Sequence, residues 1–141
     1  MAWTRNILVL TSRTVGSDVL LEHMRRYAAN GPTQFTVVVP NGPGVRGDDV
    51  GKAIARFRDA GLAVSLRYGD RDPLVAVRDS WNPGRFDGVI VVTLPTQFSR
   101  WLATDLPYRV QRLTDALVTH VIAEAPTQDV AVTPRRAAAA I

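Results

Sequence analysis

Cysteine is absent from the 141-residue chain, which removes disulfides, thiolate metal ligands and thiol nucleophiles from consideration. Lysine is nearly absent, since Lys52 is the only one among 17 basic residues. Long apolar runs are missing too. The opening MAWTRNILVL is too short for a secretory core, and no stretch approaches the roughly 18 apolar residues of a membrane span. A cytoplasmic protein with no membrane partner is the expectation. The formal charge of +4 raises the question of nucleic acid. Arginine and Asp/Glu are interleaved along the whole chain without forming a basic block, which argues against a nucleic-acid partner. At this length a single domain buries roughly two-thirds of its unfolded surface, enough for a core without staples.

What is present is a regular alternation of short apolar runs and amphipathic stretches. Asn6 to Thr11 reads as a first strand, and Ser17 as the N-cap of a helix over Asp18 to Ala29 that Asn30-Gly31-Pro32 stops. Phe35 to Pro40 is a second strand, followed by a glycine-rich loop and a helix over about Asp48 to Ala60. Leu62 to Tyr68 alternates like an edge strand. Asp72-Pro73 opens a helix to about Trp81, with proline at its first position.

The centre of the pattern is Phe86 to Arg112. Val89 to Val92 is an unbroken apolar run bounded by Asp87-Gly88 and Pro95, as suits a parallel strand covered on both faces. A reversal at Thr93 to Thr96, a short amphipathic stretch through Trp101 and a helix opening at Asp105-Leu106-Pro107 follow. Leu117 to Ala123 is the fifth strand. Strands alternating with helices at this spacing predict βαβ units with right-handed crossovers. The expected fold is a single-domain, doubly wound, five-stranded parallel sheet of order 3-2-1-4-5 with helices on both faces. The domain is expected to fill residues 1–124, with 125–141 as a C-terminal tail.

The order of elements, and above all the last third, resembles the universal stress protein family, the UspA-like branch of the flavodoxin-like α/β folds. The likeness rests on Asp87-Gly-Val-Ile-Val-Val-Thr93, on Pro107-Tyr-Arg-Val-Gln-Arg-Leu-Thr114, on Ala116-Leu-Val-Thr-His-Val-Ile-Ala123, and on Gly69-Asp70 with Asp72-Pro73 after the third strand. It spans about residues 5–123. Family members that hold ATP carry G-x-x-G-x9-G-[S/T] after the fourth strand, where bare main chain wraps the phosphates. That spacing falls here on Thr93, Thr96 and Leu106, with Pro107 in the hydroxyl position. None of the glycines is present, and Pro95 and Pro107 have no N–H to donate. Thr11-Ser12-Arg13 stands where such members place an acidic residue. The resemblance therefore implies a divergent, non-catalytic relative that binds ATP weakly or not at all, with no resident cofactor. It would act as a stress-response or regulatory binding protein and form a homodimer through Leu117 to Ile122, the last strand of the sheet.

In a 3-2-1-4-5 sheet the carboxyl ends of the first and fourth strands open the crevice where ligands sit. Thr11, Ser12 and Arg13 then face Thr93, Pro95, Thr96 and Ser99, a candidate site for a small polar ligand. The alternative function is an adenine-nucleotide sensor, for ATP or a relative of it, built on that crevice. Local caps and turns account for the same hydroxyls with no ligand. Gly42 to Gly47 matches G-x-G-x-x-G, with Asp70 downstream as a ribose partner. Against a flavin or nicotinamide enzyme stand Pro40-Asn41, the donorless Pro43, and Asp48-Asp49 where pyrophosphate would rest. Asp70 and Asp72 could supply a base, but turn and cap roles explain them more cheaply. His120 in an apolar strand reads as a packed or hydrogen-bonded residue, and His23 makes no metal spacing with it. The aromatics Trp81, Phe86, Phe98, Trp101 and Tyr108 read as core or interface. No nucleophile motif is present, so no enzyme is expected.

Overall fold

A computed structural model describes residues 4–42, 44–95 and 99–124. It contains β1 (Arg5–Leu10), α1 (Asp18–Ala29), β2 (Thr33–Pro40), α2 (Gly47–Asp59), β3 (Ala63–Gly69), α3 (Pro73–Ser80), β4 (Gly88–Thr93), α4 (Arg100–Ala103), α5 (Leu106–Thr114) and β5 (Val118–Ile122). All five strands are parallel and run in the order β3-β2-β1-β4-β5. The expected architecture is therefore present, with element ends shifted by a residue or two. β2 begins earlier than its apolar run because the Arg5 amide donates to the Pro32 carbonyl at 3.0 Å, which draws Thr33 and Gln34 into register with Arg5 and Asn6. The tail from residue 125, together with Thr96 and Phe98, lies outside the described residues.

The period-2 alternation of each central strand sends side chains to two separate cores. Val9, Val37, Val39, Ile90 and Val92 meet Leu20 and Met24 of α1 and Ile54 and Phe57 of α2. Leu8, Leu10, Val38, Val89 and Val91 meet Ala76 and Val77 of α3 and Leu106 and Val110 of α5. Every residue of β4 is buried, which is why its sequence has no polar alternation. The helices start where their caps say they should. Ser17 Oγ accepts from the amides of Val19 and Leu20 at 3.1 and 3.3 Å. Asp72 accepts from the Leu74 amide at 2.9 Å, just ahead of Pro73. Trp81 and Phe86 stack with ring centroids 5.7 Å apart and close the α3 side of the sheet, so both are structural. Among the described residues no helix is long and apolar enough to cross a membrane.

The turn from β3 into α3 depends on close approach. A Cβ added at Gly69 would stand 2.6 Å from the Ala76 Cβ and 3.3 Å from its Cα. We expect Gly69→Ala to destabilise the fold by about 1–3 kcal/mol through overpacking. Gly51→Ala, exposed on α2 with nothing within 4 Å, should stabilise it by about 0.5–1 kcal/mol through helix propensity. Urea unfolding of the two variants measures both, and equal effects would contradict the packing assignment.

Candidate functional site

Leu10 of β1 pairs with Val91 of β4, so the two strands deliver their following loops side by side at the carboxyl edge of the sheet. Over that edge rise the Thr11–Gly16 loop, Leu94 and Pro95, the Asn41–Arg46 loop after β2, and Asp70–Asp72 after β3. The Ser12–Thr14 segment forms a ridge with a cleft on either side.

The cleft on the α3–α5 side has a volume of about 930 Å³ and brings together Ser12 and Arg13 from the loop after β1, Thr93 from β4 and Ser99 from the start of α4. Two sequence candidates do not line it. Thr11 is fully buried, and its hydroxyl is spent on Thr14 Oγ1 at 2.6 Å. Pro95 is half-buried beside the cleft without lining it. Thr96 lies outside the described residues. The Ser99 hydroxyl accepts from the Leu102 amide at 3.2 Å and so caps α4 as well. The cleft also holds Arg71, Arg100 and Arg109, so four arginines face two aspartates, Asp70 and Asp72. Both aspartates are engaged by backbone: Asp70 accepts from the Asp72 amide and Asp72 from Leu74, each at 2.9 Å. They are turn and cap residues, and arginines outnumber them in the cleft lining.

The last two positions of the ATP motif are filled by a bulky side chain and a proline. Leu106, which replaces the last glycine of the ATP motif, is 1 % exposed and anchors α5 in the core. Pro107 occupies the first turn of α5, and the left-handed backbone position before it is taken by Asp105, φ 56°.

The second cleft, about 900 Å³, lies on the α1–α2 side and carries Lys52, Arg56, Asp18 and Glu124. Its charges largely pair with each other: Arg56 with Asp18 and, at 3.9 Å, Arg46 with Asp49. The glycine loop borders both clefts. Gly44 has φ 84°, a left-handed position that favours glycine, and a Cβ there would push the Arg13 side chain aside, its Cδ lying 2.7 Å away. The first turn of α2 holds Asp48 and Asp49, carboxylates that suit a helix N-terminus and repel the pyrophosphate that a dinucleotide fingerprint would place there.

Sequence reasoning missed two partners. His120 Nε2 lies 2.7 Å from Thr93 Oγ1, so the hydroxyl at the cleft floor is held from the edge strand. The signal was available: in register, Thr93 stands beside Ile122, and His120 shares a sheet face with Ile122. Glu124 was the other. Its carboxylate accepts from Ser17 Oγ and from the Asp18 amide, both at 3.3 Å, tying the end of β5 to the start of α1. His23 is half-buried on α1, and among the described residues no group of three or more Asp, Glu and His side chains could hold a metal ion.

No protein-family profile matches the chain, and no curated relative is found from its sequence. Among solved structures, a universal stress protein in complex with cAMP superposes with a TM-score of 0.57, covering 87 % of this chain and 99 % of that one at 19 % identity. The fold is that of a universal stress protein. At that identity the likeness is one of architecture. Ser12, Arg13 and Thr93 line the cleft where the carboxyl ends of β1 and β4 lie side by side.

Burial pushes the His120 ring below the ordinary histidine pKa of 6.5. The folded state then binds fewer protons than the unfolded chain between the lowered value and 6.5, so stability falls as pH drops through that window. We expect His120→Gln to flatten the part of the acid-side loss in melting temperature that lies below neutral pH. A thermal-unfolding series from pH 7 to 5 checks this, and an unchanged slope in the variant would contradict it.

Proposed function

We propose that this chain is a non-catalytic ligand-binding module of the universal stress protein kind. Its crevice takes a small anionic ligand such as an adenine nucleotide of low charge, and it binds ATP weakly or not at all. The observation that carries the reading is the cleft of about 930 Å³ at the β1/β4 switch point, lined by hydroxyls and four arginines. Pro95 and Pro107, at the bend after β4 and the start of α5, have no N–H to donate. If two charge-assisted hydrogen bonds of roughly 1.5–3 kcal/mol each are missing for a triphosphate, affinity for ATP falls by something like 10²–10⁴. A cyclic monophosphate, the ligand held by the structurally similar universal stress protein, demands fewer donors. Calorimetry with ATP, AMP and cyclic AMP tests this. We expect sub-millimolar binding of cyclic AMP that is lost in Thr104→Trp, which fills the cleft from its exposed rim, and no tighter binding of ATP. Low-micromolar ATP binding would sink the reading.

The module would work as a homodimer paired through β5, in a stress-response or regulatory role. Among the described residues Val19, Tyr68, Tyr108, Leu113, Leu117 and Ile122 are the exposed large hydrophobics, and the last four of these lie on α5, on β5 or between them. Leu117 is 76 % and Ile122 52 % exposed. A second copy across a two-fold axis would cover this patch and the open strand edge together. At tens of micromolar the chain should sediment as a dimer, and Leu117→Glu with Ile122→Lys should sediment as a folded monomer. A monomeric wild-type chain would exclude this assembly.

A further inference from the structure

The contact between Thr93 and His120 has a consequence for what the cleft can hold. Thr93 belongs to the cleft lining, yet it is only 1 % exposed. Its one hydroxyl proton must go either to His120 or into the cleft, because the 2.7 Å contact to Nε2 is a hydrogen bond in which either atom can donate. With Nε2 bare, the hydroxyl donates to the ring and shows the cleft only lone pairs, which repel an anion. With a proton on Nε2, as in the neutral Nε2–H tautomer and in every imidazolium, the ring donates to Oγ1 and the hydroxyl is free to donate to a ligand, so protonation removes the one form, neutral with its proton on Nδ1, that blocks it. In the single chain the ring is exposed on the edge strand.

We propose that His120 is a positioning residue that couples protonation to anion binding in this cleft: an anionic ligand oxygen contacts the Thr93 hydroxyl, and binds more tightly when His120 carries a proton on Nε2. The inference rests on the ligand-binding reading above and specifies how that site discriminates. The groups around the ring favour this direction. β4 offers it Thr93 and no ionisable residue. α5, packed on the same sheet face, carries Arg109, Arg112 and Tyr108, with Asp105 and Asp115 only at its two caps. α1 packs on the opposite face, where Tyr27 bonds Thr119, and its Glu22, His23, Arg25 and Arg26 are separated from the ring by the sheet. No carboxylate is bonded to the ring among the described residues, so a ligand anion near Thr93 would be the negative charge that draws the proton on. Burial lowers the pKa of the empty ring, so that acid or a bound anion is needed to favour its charged form.

Cyclic AMP is a suitable probe because its phosphodiester charge does not change across the histidine range. We expect its affinity to rise about five- to tenfold between about pH 7.5 and about pH 5.5. The pKa of His120, read from its ring carbon-bound proton by NMR, should rise on saturation while that of His23, the chain's other histidine, stays put. His120→Gln, whose amide donates at every pH, should bind with an affinity that no longer depends on pH. Thr93→Val should weaken binding about tenfold, the scale of one lost hydrogen bond, and lose the pH dependence. A pH profile that persists in His120→Gln, or a His120 pKa unmoved by saturating cyclic AMP, overturns the inference and leaves the binding reading intact. Absence of any cyclic AMP binding overturns both.

Discussion

Both faces and both edges of β4 are covered, and the rest of the molecule follows from that enclosure. Its flanks are β1 and β5, and its faces are held by α1 and α2 on one side and α3 and α5 on the other. A strand enclosed this way can carry no polar group until it ends. Thr93 is where it ends, and its hydroxyl must find a partner at once. Among the described residues the strand beyond β4 is β5, and His120 supplies the bond. The polar chemistry of the crevice therefore starts as a packing requirement, with the edge strand acting as the donor or acceptor of last resort.

The same enclosure explains what the loop after β4 lacks. An ATP-wrapping loop needs bare main chain on both sides of its bend. Here the position of the last glycine is Leu106, one of the side chains that seal the α5 core. Replacing it with glycine would remove a fully buried leucine, a change on the scale of large-to-small core substitutions of about 2–5 kcal/mol. Phosphate wrapping and core filling compete for one residue, and this chain has chosen the core. The arginines on the cleft walls supply positive charge from side chains.

The sheet order, the layer assignment and the caps at Ser17 and Asp72 were legible because each rests on local rules: apolar periodicity, Pro at a first helical turn, and a hydroxyl or carboxylate before a helix. The crevice was legible for the same reason, since it follows from strand order. Its lining was less so. Thr11 and Ser12 are adjacent in sequence, but the hydroxyl of Thr11 turns to Thr14 and leaves only Ser12 at the cleft. Nothing in the residue types distinguishes the two, because the choice depends on the path of the loop through Gly16. His120 and Glu124 were missed because their partners sit 27 and 107 residues away in sequence. Contacts of that kind come from register and are invisible to a reading that moves along the chain.

A hydroxyl and a main-chain amide are different tools for holding an anion, and the substitution of one for the other sets the character of this cleft. An amide N–H can only donate, so a loop of amides is committed to anions at every pH. A threonine hydroxyl both donates and accepts, so its usefulness depends on what its other neighbour does with the proton. At Thr93 that neighbour is an imidazole, a group whose proton count changes near neutral pH. Filling the β4 end with a side chain instead of glycine thus trades unconditional donors for a conditional one. Because His120 belongs to β5 while Thr93 ends β4 at the cleft, the condition is set one strand away from the place where it acts.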